Sequence, residues 1–434
     1  MSIAAEIHLW GTQVGVVSWD DRSQIGSFQY DHDFLRSGIQ ISPIHMPLRQ
    51  RPYSFPNLKR DSFSGLPGTL ADSLPDKFGH LLIDQWLAKQ GRLPDSFTPI
   101  ERLCYVGSRA MGALEFLPET RIAKSKSQEI QIDALVGLAN EALSQKEQLQ
   151  TELDTVDARE AMNDIIRVGT SAGGARAKAV IAWNPETNQV HSGQLDAPEG
   201  FTHWLLKLDG VSGNRDKEVA DPMGYGKIEY AYHLMAVNAG IFMMDCRLFE
   251  EGGRSHFMTR RFDRGPENQK IHMQTLCGMA HYDFNQAGAY SYEQAILVMR
   301  QLGLPHNDIE EQYRRAIFNI LARNQDDHTK NIAFLMNKKG QWRLSPAYDI
   351  NYSYNPQGAW TSSHQMSLNG KRDNFLYEDF LEMAKNIDIK TRKAKTILTE
   401  VLSSVYKWKE FADKANVEPS TSKSISNTFR MLHP

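Results

Sequence analysis

Between Ala316 and Ser353 the chain reads AIFNILARNQDDHTKNIAFLMNKKGQWRLSPAYDINYS, and few folds accommodate that order of patterns. Apolar residues Ile309, Tyr313, Ile317, Ile320 and Leu321 recur at helical spacing, with Pro305 just upstream, which predicts a helix over 307–323. A polar loop, Asn324 to Asn331, follows it. The apolar run Ile332 to Met336 then meets a turn at Asn337-Lys338-Lys339-Gly340, and Trp342 and Leu344 alternate on the way back. A hairpin of this kind returns the chain to its starting point. Asn331 at its start and Asp349 just past its end become neighbours, and Asp326 adds a third oxygen-bearing side chain.

That trio has a chemistry. Asp326-x-x-x-x-Asn331 has the spacing of a protein-kinase catalytic loop, where the Asp accepts the proton of the attacking hydroxyl and the Asn binds Mg²⁺. In such enzymes a second metal-binding Asp follows a short hairpin, and Asp349 stands there. Hard oxygen donors suit Mg²⁺ held jointly with phosphates. Asp327 has the wrong spacing, so Asp326 is the expected base. The same residues also read as a polar helix C-cap ahead of a surface hairpin, and taken alone the two readings are about equally good. The rest of the chain shifts the balance.

A chain of 434 residues is long enough for two or three domains, and a hydrophobic content of 41% supplies their cores. The net charge of −3 implies no global attraction to nucleic acid or to an anionic membrane. Cys104, Cys246 and Cys277 are scattered and odd in number, which argues for a reducing compartment and against a disulfide framework. The start, MSIAAEIHLWG, lacks the pattern of a signal peptide, and no apolar run is long enough to span a bilayer. The expectation is a soluble, cytoplasmic protein with no membrane partner.

Taken in order, residues 5–30 alternate apolar and polar with turns at Gly11 and Asp20-Asp21, which predicts antiparallel strands. Ser73-Leu74-Pro75-Asp76 reads as a capping box opening a helix with Phe78, Leu81, Leu82 and Trp86 on one face and Gly91 at its end. Gly107 to Gly112 reads as a tight turn before a strand rather than as a phosphate loop. A polar stretch over 120–131 marks a boundary, and a helix is expected over about 130–145. Ile165 to Val168 is strand-like. Gly169 to Lys178 is glycine-rich and runs into a second strand, Ala179 to Trp183. Its glycines let backbone N–H groups approach phosphates, and Arg176 and Lys178 add charge. An ordinary glycine-rich hairpin is the competing reading. Lys207 closes the apolar strand Trp204-Leu205-Leu206, as the phosphate-reaching lysine does in kinases. The strand from His256 ends in Arg260-Arg261-Phe262-Asp263-Arg264, where a kinase places its adenine-binding hinge. Helices are expected over 290–303, 307–323, 375–386, 390–412 and 420–431. The elements occur in kinase order, and that order points to phosphoryl transfer from Mg-ATP.

The sequence also resembles a known family, HipA, the serine/threonine kinase toxins of bacterial toxin–antitoxin modules. The likeness is carried by Thr170 to Lys178 (TSAGGARAK), Phe262-Asp263-Arg264, Asp326 to Asn331 (DDHTKN) and Ser345 to Asp349 (SPAYD). Ser42-Pro43, Ala71 to Asp76 (ADSLPD) and Gly112-Ala113-Leu114 fit the family's accessory domain. The resemblance implies an α+β, two-lobed protein-kinase-like fold. A β-rich accessory subdomain (1–120) and an ATP-binding lobe (121–264) would precede a helical lobe (265–434). It implies Asp326 as catalytic base, with Asn331 and Asp349 on Mg²⁺. Gly173, Gly174, Ala175, Arg176, Ala177 and Lys178 would cover the ATP phosphates and Lys207 would contact them. Arg260, Arg261 and Phe262 would form the hinge, and His328, Thr329, Lys330, Asn331, Tyr348 and Asp349 would line the nucleotide. Ser171 is the implied site of autophosphorylation, which would switch the kinase off. The implied partners are a HipB-like helix-turn-helix antitoxin, operator DNA reached through that antitoxin, and a protein substrate, which in the best-known member is glutamate–tRNA ligase. A small-molecule kinase and a non-catalytic pseudokinase co-repressor are the alternatives.

Overall fold

The computed structural model describes residues 3–89, 91–119, 130, 132–144, 177–193, 196–211 and 224–432. The chain divides into two compact units. The first comprises Met1–Ile41, Met46–Gly226 and Arg247–Met273; the second comprises Ser42–His45, Lys227–Cys246 and Gln274–Pro434.

The first unit opens with the expected antiparallel strands, β1 (Ala4–Leu9), β2 (Thr12–Asp20) and β3 (Ile25–Tyr30). Trp10 and Gly11 form the two-residue loop between β1 and β2, both at positive φ (52° and 81°), the backbone that matches strand twist in tight hairpins. Alternation buries Ala5, Ile7 and Leu9 on one face. β4 (Leu114–Leu117) adds to the free edge of β1, giving the order β3-β2-β1-β4.

Helix α1 (Lys77–Lys89) starts later than the Ser73 cap predicts. Ser73 and Leu74 still close the turn of the preceding short helix, through bonds to Leu70 and Ala71 carbonyls, so the cap falls to Asp76. Its Oδ1 accepts from the Gly79 amide at 2.7 Å. Phe78, Leu82, Ile83 and Leu87 form the buried face, and Leu81 sits at its margin. Helix α2 (Pro99–Val106) carries a complete capping box between Thr98 and Glu101.

The second sheet comprises β5 (Lys178–Trp183), β6 (Val190–Ser192), β7 (Thr202–Lys207), β8 (Cys246–Glu251) and β9 (Arg254–Arg260), in the order β6-β5-β7-β9-β8. β5 is buried along its whole length and shares one core with α1 and with α3 (Ile132–Ser144). Helix α4 (Tyr225–Asn238) starts in this unit, beside β9, and from Lys227 on belongs to the second. A Cβ on Gly226 would lie 2.2 Å from the Ser255 carbonyl, so only glycine allows that approach.

The second unit is mainly helical, with α5 (Tyr292–Gln301), α6 (His306–Leu321), α7 (Tyr377–Asn386), α8 (Thr391–Tyr406), α9 (Trp408–Lys414) and α10 (Pro419–Ser426). The single helix expected over 390–412 is two helices, with Lys407 (φ −87°, ψ 10°) ending one and opening the other. The break lets Trp408 turn inward, where its Nε1 donates to Ser422 O and its ring meets Tyr232 and Phe429. β10 (His272–Thr275) leads the chain into this unit, and β11 (Tyr290–Ser291) pairs in parallel with the distant segment Met366–Ser367. β12 (Ala333–Met336) and β13 (Trp342–Leu344) form the predicted hairpin, with Phe334 opposite Leu344 and Met336 opposite Trp342.

Candidate active site

All five apolar positions that predict α6 are buried. The helix ends because Arg323 adopts φ 56°, a left-handed conformation that helices use to stop. The loop's two ends are then tied together. Gln325 N donates to Ser353 O at 3.3 Å and Ser353 N donates to Arg323 O at 3.1 Å. At the other end Ser345 N donates to Ala333 O at 2.9 Å and closes the hairpin. The out-and-back path inferred from the sequence is therefore present, and Asn331 and Asp349 line one small cavity of about 20 Å³.

The adjacent carboxylates are placed very differently. Asp326 keeps 43% of its side chain exposed, and Trp360 Nε1 donates to its Oδ1 at 2.8 Å. Asn331 Nδ2 donates to the Asp326 carbonyl at 2.7 Å, which fixes the turn between them. Asp327 keeps 1% of its side chain exposed. Its Oδ2 accepts from Tyr292 Oη at 2.6 Å and from His364 Nδ1 at 2.8 Å, and its Oδ1 accepts from the Gln365 amide at 2.7 Å. Burial would raise this carboxyl, but His364 and these hydrogen bonds hold it below its ordinary value. Sequence spacing selects Asp326; it carries no sign of the buried bonds around Asp327 or of Trp360, 34 positions away.

The residue types fit Mg²⁺: with its Nδ2 engaged by the loop backbone Asn331 keeps an amide oxygen to offer, and Asp349, a carboxylate residue, lines the same cavity. Asp349 sits at φ 53°, a costly backbone state for a non-glycine residue and a recurrent one at functional sites. Among the other expected nucleotide-lining residues, Thr329 Oγ1 donates to Tyr282 O and Tyr348 Oη donates to Lys330 O. Lys330 Nζ lies 4.3 Å from the Phe284 ring centre, and His328 approaches the same ring edge-on.

In the first unit, Ser171, Gly173, Gly174, Ala175 and Arg176 lie outside the described residues, as does the strand expected over 165–168. Ala177 and Lys178 are buried, and Lys178 stands directly opposite Lys207 across β5 and β7. Facing ammonium groups repel and need anions nearby. One is Asp76, whose Oδ2 is 3.7 Å from Lys178 Nζ in a site 2% and 4% exposed. The residue that caps α1 thus also holds this lysine. At the strand end expected to form the hinge, Arg260 is exposed, Phe262 is half-buried and Arg261 is buried. Arg261 donates to both oxygens of Asp263, at 2.8 and 2.7 Å, and Arg264 adds a contact at 2.9 Å. The Gly112 amide donates to Asp263 as well, and Arg264 donates to the carbonyls of Gly112 and Ala110. The glycine-flanked stretch 107–112, a short 3₁₀ helix over Gly107–Arg109 followed by a bend, seats this buried charge cluster.

Residues 5–117 match the HipA N-terminal domain, and residues 170–409 match the HipA-like C-terminal domain. This chain belongs to the HipA family. A solved HipA of Shewanella oneidensis MR-1, in a complex with HipB and its operator DNA, superposes with a TM-score of 0.65 at 16% identity, over 98% of this chain and 94% of that one. The chain therefore has the mixed α/β, two-lobed kinase-like HipA fold expected from the sequence. A putative kinase of Haemophilus influenzae is 26% identical over 157 residues, 31% of this chain and 46% of that protein. The chain thus spans less than half the length of that relative. Among the described residues no helix is long and apolar enough to cross a membrane.

Proposed function

We propose that this HipA-family chain is a Mg-ATP-dependent serine/threonine protein kinase and the toxin of a HipBA-type toxin–antitoxin module. The observation that carries this reading is the convergence of Asn331 and Asp349 on one cavity, with Asn331 also holding the Asp326 backbone. Asp326 accepts the proton of the attacking hydroxyl, while Trp360 orients its carboxylate. Asn331 and Asp349 hold the metal. When bound there, the metal would supply positive charge to offset that of the ATP phosphates. Lys178, Lys207 and the loop Gly173 to Ala177 grip those phosphates. The backbone of Arg260, Arg261 and Phe262 meets the adenine as the hinge, while the Arg261 side chain stays on Asp263, and His328, Thr329, Lys330 and Tyr348 line the nucleotide. A HipB-like helix-turn-helix antitoxin is the partner through which the chain reaches operator DNA. A translation protein such as glutamate–tRNA ligase is the substrate. Phosphate on Ser171 would add roughly −1.5 to −2 charge where the ATP phosphates belong and so silence the enzyme.

The test is phosphate transfer from radiolabelled ATP by the wild type and by Asp326→Asn, with thermal melts alongside. Loss of the base costs about 10²–10⁴-fold in rate and leaves the melt nearly unchanged, since the side chain is partly exposed. A folded Asp326→Asn protein that transfers phosphate at the wild-type rate would end the kinase reading. Mass spectrometry of the same two proteins should find phosphate on Ser171 only where Asp326 is intact.

A further inference from the structure

The buried side of the catalytic loop leads away from the reacting groups to a residue no motif marks. Asp327 accepts from His364 Nδ1, and the opposite nitrogen, Nε2, lies 2.9 Å from Arg430 Nη1. A guanidinium can only donate, so Nε2 must carry a lone pair and Nδ1 must carry the hydrogen given to Asp327. Arg430 follows α10 in the sequence, yet its other bonds also end on the approach to the loop. Its Nη1 donates to Ile320 O at 2.9 Å and its backbone N donates to Leu321 O at 3.0 Å. Those are carbonyls of the last turn of α6, which lack partners within the helix. Nη2 pairs with Asp373, and the guanidinium lies 5.3 Å from the Phe375 ring centre. His364 is fully buried.

We propose that Arg430 is a positioning residue for the catalytic loop: it locks His364 as the Nδ1–H donor to Asp327 and clamps the end of α6, and the two together fix where Asp326 stands. The proposal rests on the kinase reading for its kinetic consequence but not for its structural one. The charged or titratable groups around His364 include Asp327 from the loop, Arg430 from the segment after α10, and Arg323 from the end of α6, and Arg372 Nε donates to its carbonyl at 2.6 Å. Asp373 reaches it through Arg430, and Tyr292 through Asp327. Burial pushes the imidazole down, Asp327 pulls it up, and the nearby guanidinium groups oppose that pull; it is the Arg430 bond to Nε2 that leaves the ring a single hydrogen. Without Arg430, Nε2 loses its donor while the Asp327 carboxylate remains. The ring is then free to take a second proton or to exchange tautomers.

The experiment compares the full chain with Arg430→Met, which removes every side-chain donor at similar volume, and Arg430→Lys, which restores a single donor nitrogen. Ring ¹⁵N spectra of histidine-labelled protein read the state of His364 directly. The wild type should show a neutral Nδ1–H ring, Arg430→Met a doubly protonated or exchanging ring, and Arg430→Lys a partial return. In the transfer assay Arg430→Met should lower kcat by up to about 10²-fold, the scale of a small misplacement of a catalytic group, with little change in KM for ATP. Arg430→Lys should recover part of it. A wild-type ring protonated on Nε2 overturns the proposal even where no variant folds. An unchanged ring in Arg430→Met, or an effect on KM alone, also overturns it. The spectra need no turnover. A wild type without transfer activity, or an Asp326→Asn protein that retains it, therefore tells against the kinase reading and leaves the His364 result standing on its own.

Discussion

Asp263 shows how much one buried carboxylate can carry and how little of that is visible in a sequence. Read in one dimension, Arg-Arg-Phe-Asp-Arg is a strand end at the place of a kinase hinge. In the fold two of the three arginines close on Asp263, which also holds the Gly112 amide from 151 positions away. No periodicity encodes a pairing across a turn. The carboxyl loses its water, which alone would raise it, yet Arg261 and Arg264 hold it far below its ordinary value of 3.8. Arg264 in turn is pushed down to about 10, chiefly by burial. A depressed carboxyl stabilises the fold in full above its unfolded value and loses that contribution as pH falls towards the folded one. The loss should therefore begin near pH 4 and deepen below it. Asp263→Asn leaves two buried guanidinium groups without their anion and should cost about 3–5 kcal/mol by urea denaturation at neutral pH. It should also flatten the acid limb of the stability curve. A variant as stable as the wild type, or with the same acid slope, would show that the cluster is solvated. At this scale the sequence distinguishes Asp326 from Asp327 by spacing alone. It is silent on why the second must be buried, because Tyr292, His364 and Gln365 reach it from other parts of the chain.

Elements were more legible, because each is a local pattern. Helix α6 and the hairpin β12–β13 were readable from 3.6- and 2-residue periods, and both exist close to the expected bounds. The bond that sets one against the other was not readable. Asp308, in the first turn of α6, accepts from Arg343 Nε and Nη2, both at 2.9 Å, and from the Leu344 amide at 2.9 Å. A carboxylate there also faces the positive end of the helix. Arg343 is largely exposed, so the ion pair is screened, and the backbone bond at buried Asp308 is the larger part. Asp308→Ala should cost about 1–2 kcal/mol, and hydrogen exchange should quicken at Leu344 before it does in α5. Unchanged exchange at Leu344 would mean that strand pairing alone holds the return strand. The places where local patterns misled have tertiary causes. Ser73 lost the cap to Asp76 because the preceding turn had already claimed it, and the helix expected over 390–412 breaks where Trp408 must turn inward.

For the whole molecule, the match of both HipA domains bears out the family whose resemblance is carried by the stretches at 170–178, 262–264, 326–331 and 345–349. The interleaving of the two units was invisible. Ser42–His45 belongs to the second unit, where His45 stacks on His281 at 4.0 Å, and only packing could show that. Charge is the whole-molecule property that bears on DNA. Neutralising phosphates with lysine and arginine supplies most non-specific affinity for a duplex, and it weakens steeply with salt. A chain with 49 basic and 52 acidic residues has no such excess overall. Operator binding should therefore need the helix-turn-helix antitoxin proposed as partner, which would bring both the charge and the base-reading helix. In a gel-shift series at about 50–200 mM salt, this chain alone should retard operator DNA weakly and without sequence preference. With the antitoxin the shift should be strong, specific and larger in mass than that of the antitoxin alone. Tight, sequence-specific retardation by the chain alone at the upper end of that range would place a DNA-reading surface on this protein. An antitoxin–DNA complex that migrates identically with and without the chain would remove it from the repressor.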